Sequence, residues 1–303
     1  MSIVMSTPGI QELDYVTEVL SGWQCDEGPL HLHPGDLGWY SLRGAAKTAA
    51  SLRAWSREGK ILALGLLDGS DGLLRMAVDP DLRDDDELSR QLVADVNDPQ
   101  RGVLDAGNAI VEARGADRFS QLLSEEGWQP EEPWTPLRRD LSASGLVDEE
   151  RVEETGLRIE TIGPDLVDPW VAVHWSAFKG TQFSEEERRD YRELWLTMAR
   201  GPFYHRARSL AAFDGHDNAV AVTTVWSAGP GRPGLLEPMG VHRDHRGNGY
   251  GVAISVAAAS ALQEMGSSSA IVCAESSNAA AVSTYVAAGF TAHEQVADLQ
   301  RGA

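Results

Sequence analysis

A chain of 303 residues is long enough for two domains of ordinary size, and its 42% apolar and 24% charged residues are those of a globular protein. Lys and Arg total 26 against 46 Asp and Glu, a net charge of −20, which argues against nucleic acid or an anionic membrane as partner. No apolar run reaches the ~18 residues of a membrane span. The first residues, MSIVMSTPGIQELD, lack the basic and apolar regions of a secretory signal. Cys25 and Cys273 lie far apart and suggest neither a disulfide framework nor a metal cluster, so the expectation is a cytoplasmic protein without a metal.

The predicted elements form two similar series. In the first, strands at 61–67 and 73–78 precede a helix near 87–96, a strand near 109–113 and a helix over 117–126 that ends at Gly127-Trp128. Ahead of them, His31 to Trp39 (HLHPGDLGW) reads as a turn with a buried tryptophan rather than as a loop lining a cleft. Residues 141–156 are small, polar and acidic, the composition of a linker or boundary helix. Next, Ser184 and Glu187 have the spacing of a capping box. The helix over 188–200 places Tyr191, Leu194, Trp195 and Met198 on one face. Asp214-Gly215 reads as a hairpin turn. Strands at 219–227 and 235–241, a long helix over 249–265, a strand at 270–274 and a helix over 278–288 ending at Gly289-Phe290 complete the second series. The repeated order points to internal duplication at domain scale. The expected division is a first domain over 1–143, a linker over 144–155 and a second domain over 156–303.

The informative segment is LLEPMGVHRDHRGNGYG, Leu235 to Gly251. A strand enters a turn containing Arg246, Gly247, Gly249 and Gly251, and an Ala-rich helix follows at once. Glycines there let a backbone approach a ligand, the helix start presents unpaired N–H groups, and Arg246 adds charge. The combination suits a pyrophosphate. A dinucleotide-binding unit needs this turn near the domain start and an acidic residue ~20 positions on, after a second strand. Here the turn comes late, and that position falls at Glu264 to Ser267, at the helix end.

Arg246 to Gly251 (RGNGYG) resembles the Arg/Gln-x-x-Gly-x-Gly/Ala signature of GNAT acyltransferases. Downstream, Asn278, Ala281, Tyr285 and Gly289-Phe290 resemble that family's second motif at the usual separation. The likeness covers 156–303 well and the first half in outline, as in tandem-GNAT proteins. It implies an α/β fold of the α+β, mixed-sheet kind: two GNAT-like domains, each a mostly antiparallel twisted sheet with a splayed central strand pair flanked by helices. It implies acetyl-CoA as co-substrate, its pyrophosphate on the amides of Gly247, Asn248, Gly249, Tyr250 and Gly251 with Arg246 and Asn278 nearby, and its pantetheine paired with the backbone at Met239, Gly240 and Val241.

The resemblance also makes Tyr285 the general acid for the leaving thiolate, a role open to a neutral phenol; the alternative is a core tyrosine. Glu237 is the candidate general base, the alternative being a structural glutamate paired with an arginine. His242, His245 and His205 read as solvated loop residues, and Cys273 as a small buried residue. In the first half Asp84, Asp85, Asp86 and Glu87 stand where the glycines should be, and four carboxylates repel a pyrophosphate. That domain is expected not to bind CoA. On the acceptor side Trp175, Phe178, Phe183, Trp195 and Trp226 are candidates for a pocket or for plain core. The expected acceptor is a small-molecule amine, cationic by the acidic balance, with a homodimer left open. The expected activity is N-acetyl transfer by direct attack, the alternative a non-catalytic acyl-CoA-binding or scaffold module.

Overall fold

A computed structural model describes residues 2–69, 72–142, 152 and 155–302; the expected linker lies, apart from Val152 and Thr155, outside them. Among the described residues no helix is long and apolar enough to cross a membrane.

Each half builds the predicted series. The first contributes β1 (Val4–Ser6), β2 (Leu52–Arg57), β3 (Lys60–Asp68), β4 (Leu73–Val78), β5 (Ala109–Glu112) and β6 (Gln129–Asp140). The second contributes β7 (Arg158–Thr161), β8 (Ala207–Phe213), β9 (Ala219–Ser227), β10 (Gly234–Val241), β11 (Ser269–Glu275), β12 (Thr291–Ala292) and β13 (Val296–Arg301). These do not form two separate sheets. They make one, in the order β1-β2-β3-β4-β5-β13-β6-β11-β10-β9-β8-β7, with β12 also on β6. The halves have exchanged strands: β13 of the second pairs with β5 of the first, and β6 of the first pairs with β11 along Trp134 to Asp140.

The cores follow from strand alternation. On β10, Leu235 joins one core and Leu236 another. The first of these is shared. Helices α1 (Leu13–Gly22), α2 (Pro34–Tyr40) and α3 (Ala45–Ser51) of the first half pack there with α6 (Val167–Phe178) and α7 (Glu185–Ala199) of the second. The other two cores each lie mainly in one half, under α4 (Asp86–Asn97) and α5 (Asp117–Glu125), and under α8 (Tyr250–Glu264) and α9 (Ala279–Ala287), with Leu299 of β13 joining the first and Leu137 of β6 the second. The capping box at Ser184 forms as expected, with Glu187 N donating to Ser184 Oγ at 3.2 Å and Ser184 N to Glu187 Oε2 at 2.9 Å. Leu194 departs from the expected face: it is exposed, and Leu196 is buried in its place.

His31 to Trp39 is not the turn its composition suggested. His33 caps α2, its Nδ1 accepting from Gly35 N at 2.9 Å, and its Nε2 lies 3.1 Å from Pro233 O of the second half. Asp36 completes the cap by accepting from His33 N at 2.6 Å. Helix α2 lies on β9 and β10. A Cβ at Gly38 would stand 2.2 Å from the Trp226 ring and one at Gly35 2.6 Å from Trp226 Cβ, so glycine is what lets the helix lie flat on the indole. Trp39 is only half-buried.

The parallel pairing of β10 with β11 ends at Leu235–Ile271, and β10 shifts register against β9 between Leu236 and Met239. Beyond that point the two strands splay. The first half has the same geometry, its β4–β5 pairing ending at Arg75–Glu112. There the chain closes its own opening: Leu32 N donates to Met76 O at 3.1 Å.

Candidate active site

The turn after β10 is held against the end of α6. Arg243 donates through Nε to Ser176 O at 2.8 Å, and Arg246 donates through Nη2 to Ala177 O at 3.1 Å. These contacts satisfy last-turn carbonyls that the helix leaves open. Gly247 and Gly249 have φ of 82° and 78°, which favours glycine, and open space stands where their Cβ atoms would be. The amides of Gly247, Asn248, Gly249, Tyr250 and Gly251 donate to no acceptor among the described residues. Five successive free donors at a helix start are an anion cradle. Gly251 sets the spacing of α8 and α9, since a Cβ there would lie 3.0 Å from Thr284 Cγ2.

The splay opens into a cavity of about 410 Å³. Glu237, Met239, Asn278 and Tyr285 line it together, so the structure brings together candidates that the sequence separates by up to 48 positions. Met239 and Val241 lie on the splayed part of β10. Gly240 lies under α6, where a Cβ would be 2.7 Å from Ala177 Cβ. Asn278 caps α9, its Oδ1 accepting from Ala281 N at 3.1 Å. His242 caps the short turn that follows β10, and His245 lies beside it with ring centroids 5.4 Å apart.

Tyr285 is 6% exposed, and its hydroxyl has no hydrogen-bond partner among the described residues. Burial, reinforced by the Glu237 charge, pushes its ionisation well above the ordinary phenol range, so it stays a neutral donor. Trp226 Nε1 donates to Glu237 O at 2.8 Å and fixes the backbone at the splay. The Glu237 carboxylate has no hydrogen bond or ion pair among the described residues. Burial raises its pKa; Arg75 opposes the rise, and Glu112 and Asp68 add to it. The alternative of a glutamate locked to an arginine therefore finds no contact here.

The rest of the wall belongs to the first half. Asp36, Arg75, Glu112 and Arg114 line the same cavity. Arg75 reaches Asp68 at 3.1 Å, Asp36 at 3.4 Å and Glu112 at 3.6 Å. Arg114 grips Asp298 of β13 at 3.0 and 2.7 Å. Burial pushes Asp36 up to about 8, with Arg75 opposing and Glu237 adding. Sequence reasoning missed these four residues. For three of them the signal was there, in charged residues inside the apolar strand runs LLRMAV and AIVEAR, whereas Asp36 lies in the segment read as a turn.

Of the five aromatic candidates only Phe178 reaches the cavity. Trp195 and Trp226 are buried in the shared core, and Trp175 stacks on Phe183 at 4.5 Å. His174 sits between Trp170 and Phe178, its Nδ1 2.9 Å from Tyr191 Oη, and burial lowers its pKa to about 3. Cys273 lines the cavity as a thiol that burial pushes up to about 11, the wrong direction for a nucleophile at neutral pH. A larger cavity of about 870 Å³ beside α5 and β13 contains none of the candidates, and its arginines are already paired, Arg114 with Asp298 and Arg138 with Asp26. Among the described residues no group of His, Cys, Asp and Glu has the arrangement of a metal site.

In the first half the corresponding helix start is filled by the chain itself. Asp85 Oδ1 accepts from Leu88 N at 2.7 Å, and Asp86 is held by Arg90 and Arg118.

A splayed parallel strand pair beside a glycine-rich helix start defines an acyltransferase domain of the GNAT kind. Residues 170–290 match the family model of the acetyltransferase (GNAT) family. No curated protein sequence matches the chain. Among solved structures, it is similar to a tandem GNAT protein from the clavulanic acid biosynthesis pathway, with 17% identity, TM-score 0.64 and coverage of 99% of this chain and 98% of that one. A GNAT-family acetyltransferase from Colwellia psychrerythraea gives 14% identity, TM-score 0.58 and 99% of both chains. FemX gives 10%, 0.59, and 98% and 96%. At these identities the likeness is one of fold, and the fold is that of a tandem GNAT protein.

Proposed function

We propose that the protein is an acetyl-CoA-dependent N-acetyltransferase with one active site, in the second domain. The observation that carries this reading is the continuity between the five free amides, Gly247 to Gly251, and the splayed edge of β10, which leads to Glu237 and Tyr285 (E237 and Y285 both face the same cavity). The cradle fits a pyrophosphate, and the unpaired edge from Met239 to Val241 fits an extended amide-bearing arm. Acetyl-CoA bound there supplies an activated thioester. Glu237 accepts a proton from the acceptor ammonium, its raised pKa bringing it nearer that task. Backbone donors on the edge of β10 stabilise developing negative charge on the carbonyl oxygen. Tyr285 delivers its phenolic proton to the leaving sulfur.

The first domain does not bind CoA in this reading. Its opening is closed by Leu32 on Met76, and its helix start is filled by Asp85 and Asp86. Its part is to build the acceptor wall. A purely binding module has no use for an unpartnered buried phenol, which favours catalysis. The test is titration of acetyl-CoA by calorimetry into the wild type and a Gly249→Asp variant, followed by CoA release with a pool of amines. One site per chain, lost in the variant, and release with an amine support the proposal. Two sites refute the reading of the first domain; no binding refutes the transferase.

A further inference from the structure

The cavity wall supplied by the first domain says what kind of amine enters. We propose that the acceptor is a small amine bearing a second cationic group, with its reacting nitrogen at Glu237 and the second ammonium against Asp36 and Glu112. This rests on the transferase reading and adds a substrate class to it.

The argument is one of charge. Asp36, Glu112, Asp298 and Glu237 face only two guanidiniums, Arg75 and Arg114, among the described residues, and Arg75 is shared with Asp68, which also pairs with Arg43 at 3.8 Å. Both guanidiniums are already engaged. Arg114 is taken by Asp298 in a bidentate pair, and the shortest contact of Arg75 is to Asp68. Asp36 and Glu112 are left with long contacts of 3.4 to 3.9 Å to the two arginines, and Glu237 with none. Carboxylates so weakly neutralised in a space away from water favour a cation strongly. Burial and these neighbours hold Asp36 near 8, so the wall retains a proton that an incoming ammonium replaces. Tyr285 adds an independent sign of a ligand: its side chain is 94% buried, its hydroxyl lacks a partner, and it lines the same cavity. A carboxylate on the acceptor would meet no free guanidinium and several carboxylates. The volume of about 410 Å³ suits a small molecule.

Three straight-chain primary amines separate these cases: 1,4-diaminobutane, n-butylamine and 4-aminobutyrate. Their far ends carry an ammonium, a methyl and a carboxylate respectively. Each is titrated by calorimetry into the full chain, so the readout does not depend on turnover, and acetyl-CoA is titrated into the same preparation. The diamine is expected to bind about tenfold more tightly than butylamine, with aminobutyrate weakest. In Asp36→Asn, and separately in Glu112→Gln, the diamine's advantage is expected to shrink to about threefold or less, with acetyl-CoA affinity unchanged. Asp36→Asn keeps an oxygen for the His33 amide, and the thermal midpoint checks that each variant is folded. Equal or tighter binding of butylamine or aminobutyrate overturns the proposal, as does a diamine preference that survives both substitutions, or no binding by any probe. Loss of acetyl-CoA binding with the amine preference intact refutes the transferase instead.

Discussion

Gly38→Ala is the substitution that most directly tests how the two domains are joined. In an ordinary helix interior this change stabilises, by about 0.5–1 kcal/mol, because alanine has less backbone freedom to lose. Here the new methyl would lie 2.2, 2.5 and 2.7 Å from Cζ3, Cε3 and Cη2 of Trp226. The indole cannot move aside cheaply, being 1% exposed and tied through Nε1 to Glu237 O. Helix α2 must therefore shift, and overpacking of this kind costs about 1–3 kcal/mol. The expected net effect is a destabilisation of about 1–2 kcal/mol, a fall in melting temperature of roughly 2–6 °C. Gly163→Ala, where a Cβ meets nothing within 4 Å, serves as the control. Because Asp36 rides on α2, the KM for the amine is expected to rise while acetyl-CoA affinity holds. A Gly38→Ala melting temperature equal to or above wild type, measured by calorimetry, would refute the docking described here.

Tyr285→Phe is expected to lower kcat by about a hundredfold with acetyl-CoA affinity retained; an unchanged kcat removes the acid role. Glu237 must be ionised to accept a proton, so kcat/KM is expected to fall as pH drops through its raised pKa; Glu237→Gln should abolish that limb, and an identical pH profile in the variant rules the base out. Burial lowers His31 and His174 to about 3 and His33 to about 4. Below the ordinary histidine pKa the unfolded chain takes up protons that the folded one refuses, so each removes about 1.4 kcal/mol of stability per pH unit as pH falls from about 6.5. Asp36 acts in the opposite sense: its raised pKa costs stability as pH rises toward 8. The urea midpoint should therefore peak near pH 6.5; a midpoint still rising at pH 5 contradicts the buried neutral histidines.

Much of this was readable in the sequence, and what was not has physical reasons. The glycine turn and the order of elements were legible because each rests on local chemistry, a φ that glycine favours or a period of two or 3.6; the splayed strand was expected only from the family resemblance. The exchange of β6 and β13 was not. β6 carries Pro130, Pro133 and Pro136, and proline ordinarily demotes a run from the middle of a sheet. The strand tolerates them at the sheet's centre partly through a register shift against β13 between Ala297 and Leu299. Helix α2 was missed because PGDLGWY has two glycines in seven residues. They are there for the approach to Trp226, a tertiary reason that propensity does not contain. The charged wall was missed for a related reason: Arg75 meets Asp36 and Glu112 only through tertiary structure, across separations that local patterning does not read.

The strand exchange has a consequence for the site that separate domains would not impose. Asp298, which neutralises Arg114, belongs to β13, while Arg114 follows β5 of the other half. β11, which carries Cys273 and Glu275 at the cavity, is paired along its length by β6. A fragment of residues 156–303 would keep every glycine of the 247–251 turn and both Glu237 and Tyr285, yet it would lose β6, the partners of β13 and half of the shared core. Its β11 would be an unpaired apolar edge, which favours association between chains. The fragment is expected to aggregate alone and to become soluble when expressed with residues 1–142, with acetyl-CoA binding recovered only in the mixture. A 156–303 fragment that is monomeric, cooperative in melting and able to bind acetyl-CoA would mean that the second domain is self-sufficient and that the exchanged strands contribute little to it.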